Sequence, residues 1–209
     1  MPETPAAYPV VPPPPPMIVV VSGPSGVGKT VICDRLVQGD EALVHSVSAT
    51  TRPPRSTEKD GVQYFFYAED RFRKAAEAGV FLEWAEVHGR LYGTPRGPLE
   101  ANLEAGKSPV LDVDIQGGRS VKRLRPDAVL ILIAPPSMQE LENRLRRRGT
   151  DDDEAVRRRL AHAARELEAW KDYDYLLVND DLEATAERAR AILTAERASV
   201  VRRRAAAGD

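Results

Sequence analysis

The chain has 209 residues, 42% hydrophobic and 30% charged, with a formal net charge of −2 at pH 7. That is one medium domain, or a domain with insertions, holding enough apolar material for a sizeable core. The near-balanced charge gives no field for nucleic acid or an anionic membrane, no apolar run reaches the length of a membrane span, and no charged-then-apolar secretory signal opens the chain.

Residues 1–16 are dominated by proline and alanine, with five consecutive prolines from Pro12 to Pro16. This predicts an extended polyproline arm, a solvated tail in preference to a ligand for a proline-reading module. Met17, directly before the first strand, offers a second translation start.

The run Ile18-Val19-Val20-Val21 predicts a buried strand, and Gly23-Pro24-Ser25-Gly26-Val27-Gly28-Lys29-Thr30 follows it. The spacing is G-x-x-x-x-G-K-[ST], that of a phosphate-binding loop. Its glycines let the backbone turn tightly and bring N–H groups onto phosphate oxygens. A helix expected over Lys29–Gln38 aims its positive end at the same anion. The chain is thus expected to hold a nucleoside triphosphate, with Lys29 reaching the β- and γ-phosphates and the Thr30 hydroxyl on Mg²⁺. Cys33, the sole cysteine, falls in that helix; it excludes an internal disulfide, fits a reducing cytoplasm and reads as a small buried residue. His45, His88 and His162 form no metal-ligand spacing and are read as structural.

Roughly residues 44–94 differ in texture and hold most of the aromatics. Short runs at Val62–Tyr67 and Val80–Ala85 flank a helical stretch near Glu69–Ala78, which predicts a small, largely antiparallel insert around one helix. The chain then returns to alternating helices and strands. Pro109–Asp114 is an apolar strand ending in acids, Val129–Ala134 is bounded by Pro135-Pro136, and Tyr175–Val178 is a third run. Near-continuous apolar runs separated by helical patterns predict an α/β fold whose parallel sheet is covered on both faces. An arginine-rich stretch from Arg144 to Arg159 interrupts this core, with Thr150 or Asp151 expected to cap a new helix. Leu182–Arg204 reads as one long amphipathic helix, whose Arg202-Arg203-Arg204 end suits a helix C-terminus rather than nucleic acid.

Within Ser48-Ala49-Thr50-Thr51-Arg52-Pro53-Pro54-Arg55, two guanidinium groups lie three residues apart in a proline-stiffened loop. Arginine offers a flat fork of donors that matches phosphate, so a second phosphate site beside the first is expected.

Taken in order, Gly23–Lys29, Ser48–Arg55, Phe81-Leu82-Glu83-Trp84, Tyr92-Gly93-Thr94, Leu111–Gly117, Ala134-Pro135-Pro136-Ser137, Arg148-Gly149-Thr150 and Val178-Asn179-Asp180-Asp181 resemble a guanylate kinase. The resemblance runs from about Met17 to the last helix. It implies a P-loop three-layer sandwich with a parallel core sheet (residues 17–43 and 95–204), a small mixed GMP-binding insert (about 44–94) and a helical lid (about 144–159). It further implies transfer of the γ-phosphoryl of ATP to GMP with Mg²⁺, in the cytoplasm, and admits a homodimer.

Carried onto this chain, the resemblance gives the GMP phosphate to Arg52 and Arg55, with hydroxyls from Tyr64 and Tyr92, which otherwise read as ordinary sheet aromatics. Glu83 becomes the acceptor for guanine N1–H and the 2-amino group, donors that adenine lacks; Ser48 and Thr94 supply hydroxyls, and Asp114 a further acceptor. Lys29, Arg52, Arg144, Arg148 and Arg159 become the catalytic cations. Asp112 becomes a holder of the Mg²⁺ water shell; as a strand-end acid it also reads as merely solvated. Two positions depart from the family pattern. Val31 stands where a second hydroxyl is frequent, so one α-phosphate contact is expected to be missing. Leu91 stands where a tyrosine is common, which is expected to alter packing rather than chemistry. Two rivals stand beside this reading: a nucleoside monophosphate kinase with another base preference, and a binding module that uses the GMP face to hold a phosphorylated protein.

Overall fold

A computed structural model describes residues 13–87, 89–147 and 152–207. Most of the proline arm, His88 and the stretch Arg148–Asp151 therefore lie outside the described residues.

The core is a five-stranded sheet in the order β2-β7-β1-β8-β9, built from Val19–Ser22 (β1), Leu43–His45 (β2), Ser108–Asp112 (β7), Val129–Ala134 (β8) and Tyr175–Val178 (β9). All four pairings are parallel. The side-chain period of two in β1 divides the core. Val19 and Val21 pack with Ile32 and Leu36 of helix α1 (Lys29–Gln38) and with Ala189 and Leu193 of α7 (Leu182–Ala198). Ile18 and Val20 pack on the other face with Leu99 of α3 (Arg96–Glu104) and Val121 of α4 (Ile115–Leu124). Helices thus cover both faces, as the doubly apolar strands require.

The second sheet, in the order β4-β3-β6-β5, comprises Ser48–Thr50 (β3), Tyr64–Phe66 (β4), Phe81–Val87 (β5) and Arg90–Pro95 (β6). It is mixed: β3 runs parallel to β4 but antiparallel to β6, which pairs antiparallel with β5. Helix α2 (Glu69–Glu77) packs on it through Phe72, fully buried and stacked on Phe81 at 4.5 Å. Burying one such ring contributes about 1.5–3 kcal/mol. Leu91 lies in this same cluster, 3% exposed.

Helices α5 (Met138–Arg147) and α6 (Asp153–Leu167) form a third unit, closed by Leu141 and Leu145 against Val156 and Ala163. The residue that caps α6 is Asp152, whose carboxylate accepts from Ala155 N at 2.7 Å; Thr150 and Asp151, expected there, lie outside the described residues.

Three local outcomes differ from the sequence reading. The core sheet extends through β2 to His45, inside the stretch read as insert. β7 ends at Asp112, because Asp114 leaves the strand to become the N-cap of α4, accepting from Gly117 N at 2.8 Å. The last helix is two: Ser199 is extended (φ −63, ψ 121), and its hydroxyl accepts from Arg202 N, starting α8 (Val200–Ala207). A serine hydroxyl competes with the helix ladder for a nearby N–H, and here it wins. Among the described residues, no helix is long and apolar enough to cross a membrane.

Candidate active site

The carboxyl ends of β1 and β7, the insert and α6 converge on one cavity of about 340 Å³. It gathers residues far apart in sequence: Gly23, Gly28, Lys29 and Thr30; Ser48, Arg55, Tyr64, Glu83 and Tyr92; Asp112 and Asp114; and Arg159. Crevices at strand carboxyl ends are where open α/β sheets bind ligands.

On one wall, the β1–α1 turn has the shape its glycines allow. Gly28 has φ +103, and a Cβ there would stand 2.7 Å from Asn179 Nδ2; at Gly23 a Cβ would meet Ile133 O at 2.2 Å. Only glycine fits both places without strain. No side chain caps α1, which leaves its first N–H groups for a ligand or water to satisfy. The Lys29 ammonium donates to Gly23 O at 2.7 Å and to Pro24 O at 3.3 Å, folding the cation back over the loop. Asn179 is 1% exposed and donates through Nδ2 to Val27 O at 2.6 Å, tying the loop to the end of β9. Nothing in the run Val178-Asn179-Asp180-Asp181 marks Asn179 for this role, which appears once β9 lies beside β8.

Thr30 Oγ1 donates to Asp112 Oδ2 at 2.6 Å. A hydroxyl and a carboxylate at the foot of the phosphate loop are hard oxygen donors. They suit Mg²⁺, which keeps several waters and takes one or two protein ligands beside phosphate. Among the described residues no group of three or more His, Cys, Asp or Glu could hold a metal by itself. The Thr30 hydroxyl and Asp112 carboxylate, as hard oxygen donors beside a phosphate loop, fit a cation carried in with nucleotide. Val31 lies on the wall and is 40% exposed, an apolar side chain at the position noted above.

On the insert side, Glu83 is 7% exposed, and its Oε1 accepts from Thr94 Oγ1 at 2.6 Å. Burial pushes its carboxyl up to about 7, against the opposing pull of the Thr94 hydrogen bond. A carboxylate in this setting is strongly selective, because leaving it ionised without donors is costly. Ser48, 8% exposed, stands on the same wall. Asp114 spends Oδ1 on the α4 cap, so its outward acceptor capacity rests on the other oxygen. Tyr64 and Tyr92 meet edge-on at 6.2 Å, and burial raises the Tyr64 hydroxyl to about 12, keeping it a donor at neutral pH.

Arg52, Thr94 and Arg144 are not among the wall residues: Arg52 lies over the ring of the wall residue Tyr64 at 5.4 Å, Thr94 bonds to the wall residue Glu83, and Arg144 bonds to the phosphate loop. Arg52 is held by Glu58, a residue sequence reading passed over. Thr94 acts on Glu83. Arg144 donates to Asn179 O at 3.0 Å and Val27 O at 3.5 Å, with Nε on Glu140 at 2.9 Å, so it braces the phosphate loop. Arg148 lies outside the described residues. Arg159 is on the wall, and one and two turns further along the same α6 face come His162 and Glu166, also on the wall. His162 Nδ1 lies 3.2 Å from Glu166 Oε2. Sequence pattern alone reads His162 as structural and marks nothing at Glu166, since which face of α6 turns inward depends on its packing against α5.

A parallel sheet with a phosphate loop after its central strand, an insert bearing a buried carboxylate and arginines, and an arginine-bearing helical pair define a P-loop nucleotide kinase. The guanylate kinase family model matches residues 16–196. A guanylate kinase of Sphingopyxis alaskensis is 49% identical over 178 residues, covering 85% of this chain and 81% of that protein. One of Caldanaerobacter subterraneus subsp. tengcongensis is 46% identical over 182 residues, covering 87% and 88%. The crystal structure of guanylate kinase from Anaplasma phagocytophilum superposes with a TM-score of 0.75 at 38% identity, covering 90% of each chain. The chain belongs to the guanylate kinase family and is an enzyme of that family.

Proposed function

We propose that this enzyme transfers the γ-phosphoryl of ATP to GMP, giving ADP and GDP, in the cytoplasm. The observation that carries the choice of base is Glu83: a carboxylate 7% exposed, held by Thr94, on the wall of the cavity that also contains Lys29 and Thr30. Guanine offers N1–H and the 2-amino group to such an acceptor, and adenine offers neither. With the wrong base the carboxylate stays buried and unpaired, so rejection comes from the same group as recognition.

In the reaction a phosphate oxygen of GMP forms a bond to the γ-phosphorus of ATP while the bond from γ-phosphorus to the β-phosphate bridging oxygen breaks. The acceptor is already an anionic oxygen, so no strong general base is required. Arg52 and Arg55, with the Tyr64 and Tyr92 hydroxyls, orient the acceptor phosphate. Lys29 uses two of its three donors on the loop carbonyls and turns the ammonium to the β- and γ-oxygens. Arg159, with Arg144 bracing the loop and Arg148 from the lid, spreads positive charge over the transferring group. Thr30, directly, and Asp112, through water, would hold Mg²⁺, which supplies further neutralisation of the phosphate oxygens. Closure of insert and lid over the cavity expels water and suppresses simple ATP hydrolysis.

The test is ADP release from ATP with GMP, AMP, CMP or UMP offered separately. Release that depends on GMP is expected. Release driven by another nucleotide instead keeps a kinase and removes the role of Glu83. No release from folded protein favours a module that binds phosphorylated protein.

A further inference from the structure

We propose that Glu58 is the positioning residue of the acceptor-phosphate site, acting through Arg52; this rests on the GMP reading above. The residues concerned span seven positions of one loop. Glu58 Oε1 accepts from Arg52 Nη2 at 2.8 Å and Oε2 from Arg52 Nη1 at 2.9 Å, a planar two-bond fork. The same Oε2 accepts from the backbone N–H of Arg55 at 2.7 Å, while Glu58 N donates to Arg55 O at 3.0 Å. Arg52 Nη1 also donates to Pro53 O at 2.7 Å. The Glu58 side chain is 10% exposed and that of Arg52 19%, whereas Arg55 is 74% exposed, its Nη1 3.9 Å from Glu58. Mutual hydrogen bonding holds the Glu58 carboxyl below its ordinary range and raises the Arg52 guanidinium, so both stay ionised at neutral pH.

The two arginines are therefore unequal. Arg52 is fixed in one plane, edged by the Tyr64 ring at 5.4 Å and the Phe66 ring at 5.9 Å. Arg55 lies on the cavity wall with most of its side chain in solvent. The bonds to Glu58 use the end-on fork of Arg52, Nη1 with Nη2. Neither bond uses the side fork, Nε–H with the other Nη2–H, which is the second pair matched to phosphate. Glu58 thus orients the guanidinium without taking the edge that an acceptor phosphate can use, and its bond to Arg55 N sets where the second arginine starts.

Two arguments predict opposite signs for removing Glu58. By charge alone, deleting an anion near a phosphate site tightens GMP binding. By geometry, it releases an arginine whose ordering is then charged to binding. Geometry prevails, because the Glu58 charge is already matched by Arg52 through two short bonds and its residual field is small.

The experiment measures KM for GMP and for ATP in wild type, Glu58→Gln, Glu58→Ala, Arg52→Ala and the Arg52→Ala/Glu58→Ala double variant. The Gln variant keeps the shape should the Ala variant not fold. The expected result is a rise in KM for GMP of about tenfold or more, the scale of one charge-assisted hydrogen bond, with KM for ATP unchanged. The double variant is expected to be no worse than Arg52→Ala, since Glu58 acts through that residue. A KM for GMP that falls or stays level in Glu58→Gln overturns the proposal, as do parallel rises in both KM values, which mark a purely structural role. Additive losses overturn it too. A wild type without GMP-dependent ADP release is a separate result, which removes the GMP reading and this proposal together.

Discussion

Replacing Glu83 with Gln removes a charge from a nearly dry site and leaves the shape in place. The folded-state value of about 7 lies above the ordinary 4.5, so folding favours the neutral acid. The stability tied to protonation is fully present below about pH 4.5 and is lost as pH rises through about 7. At about 1.4 kcal/mol per pH unit, ionising Glu83 costs the unliganded fold about 3 kcal/mol at alkaline pH. Gln carries no such cost and still accepts from Thr94 Oγ1. The variant is therefore expected to match wild type in denaturant melts near pH 4.5. It should exceed wild type by up to about 3 kcal/mol near pH 8.5, or roughly 6–12 °C in Tm for a chain of this size. Selectivity moves oppositely. Guanine needs the ionised form, so the ratio of GMP to AMP affinity in wild type should rise about tenfold from pH 6 to pH 8, a ratio in which the titration of the nucleotide phosphate cancels. In Glu83→Gln it should be small and flat. A stability difference that does not change with pH, or a GMP preference that survives the substitution, refutes the reasoning.

Three further outcomes follow from the site. Lys29→Ala is expected to lower kcat by about a hundredfold or more while the GMP dissociation constant, read by calorimetry, stays close to wild type; comparable losses in both sink the assigned role. Asn179→Ala leaves Val27 O only the long bond from Arg144 at 3.5 Å and is expected to cost about 1–3 kcal/mol in urea melts, with a raised KM for ATP and an unchanged one for GMP; a level ATP KM counts against the tether. Gly28→Ala places a methyl at φ +103 and 2.7 Å from Asn179 Nδ2, so titrated ATP should bind far more weakly than to wild type, and normal binding would show that the loop accommodates a side chain.

What could be read from the chain alone was whatever is encoded over a few neighbouring residues. The phosphate loop is such a case: β-branched strand, glycines at fixed offsets, then lysine and threonine. The doubly apolar runs at 18–21 and 129–134 announced a parallel sheet for the same reason. Relations that depend on folding were less visible. That Thr94 serves Glu83 depends on the β5–β6 register, which sets the two opposite each other. That Asn179 reaches Val27 depends on a pairing 152 residues apart. Glu58 is close to Arg52 in sequence, yet nothing about a lone glutamate in a loop says which way the loop folds back. The break at Ser199 was hidden because helical periodicity runs through it, while a single bond from the Arg202 amide to the Ser199 hydroxyl decides the matter.

The position of β1 in the middle of the core sheet has a consequence for how the protein is made. Its neighbours are β7 and β8, and even the amide of Met17 waits for Ser108, 91 residues later. On a ribosome the phosphate loop emerges well before β7 and β8, the strands that flank β1 in the finished sheet. Closing such long-range pairings is the slow step in topologies of this kind. A nascent chain halted before β8 carries the whole phosphate-loop sequence but has no β8 strand for β1 to pair with, nor the Ile133 carbonyl against which Gly23 turns.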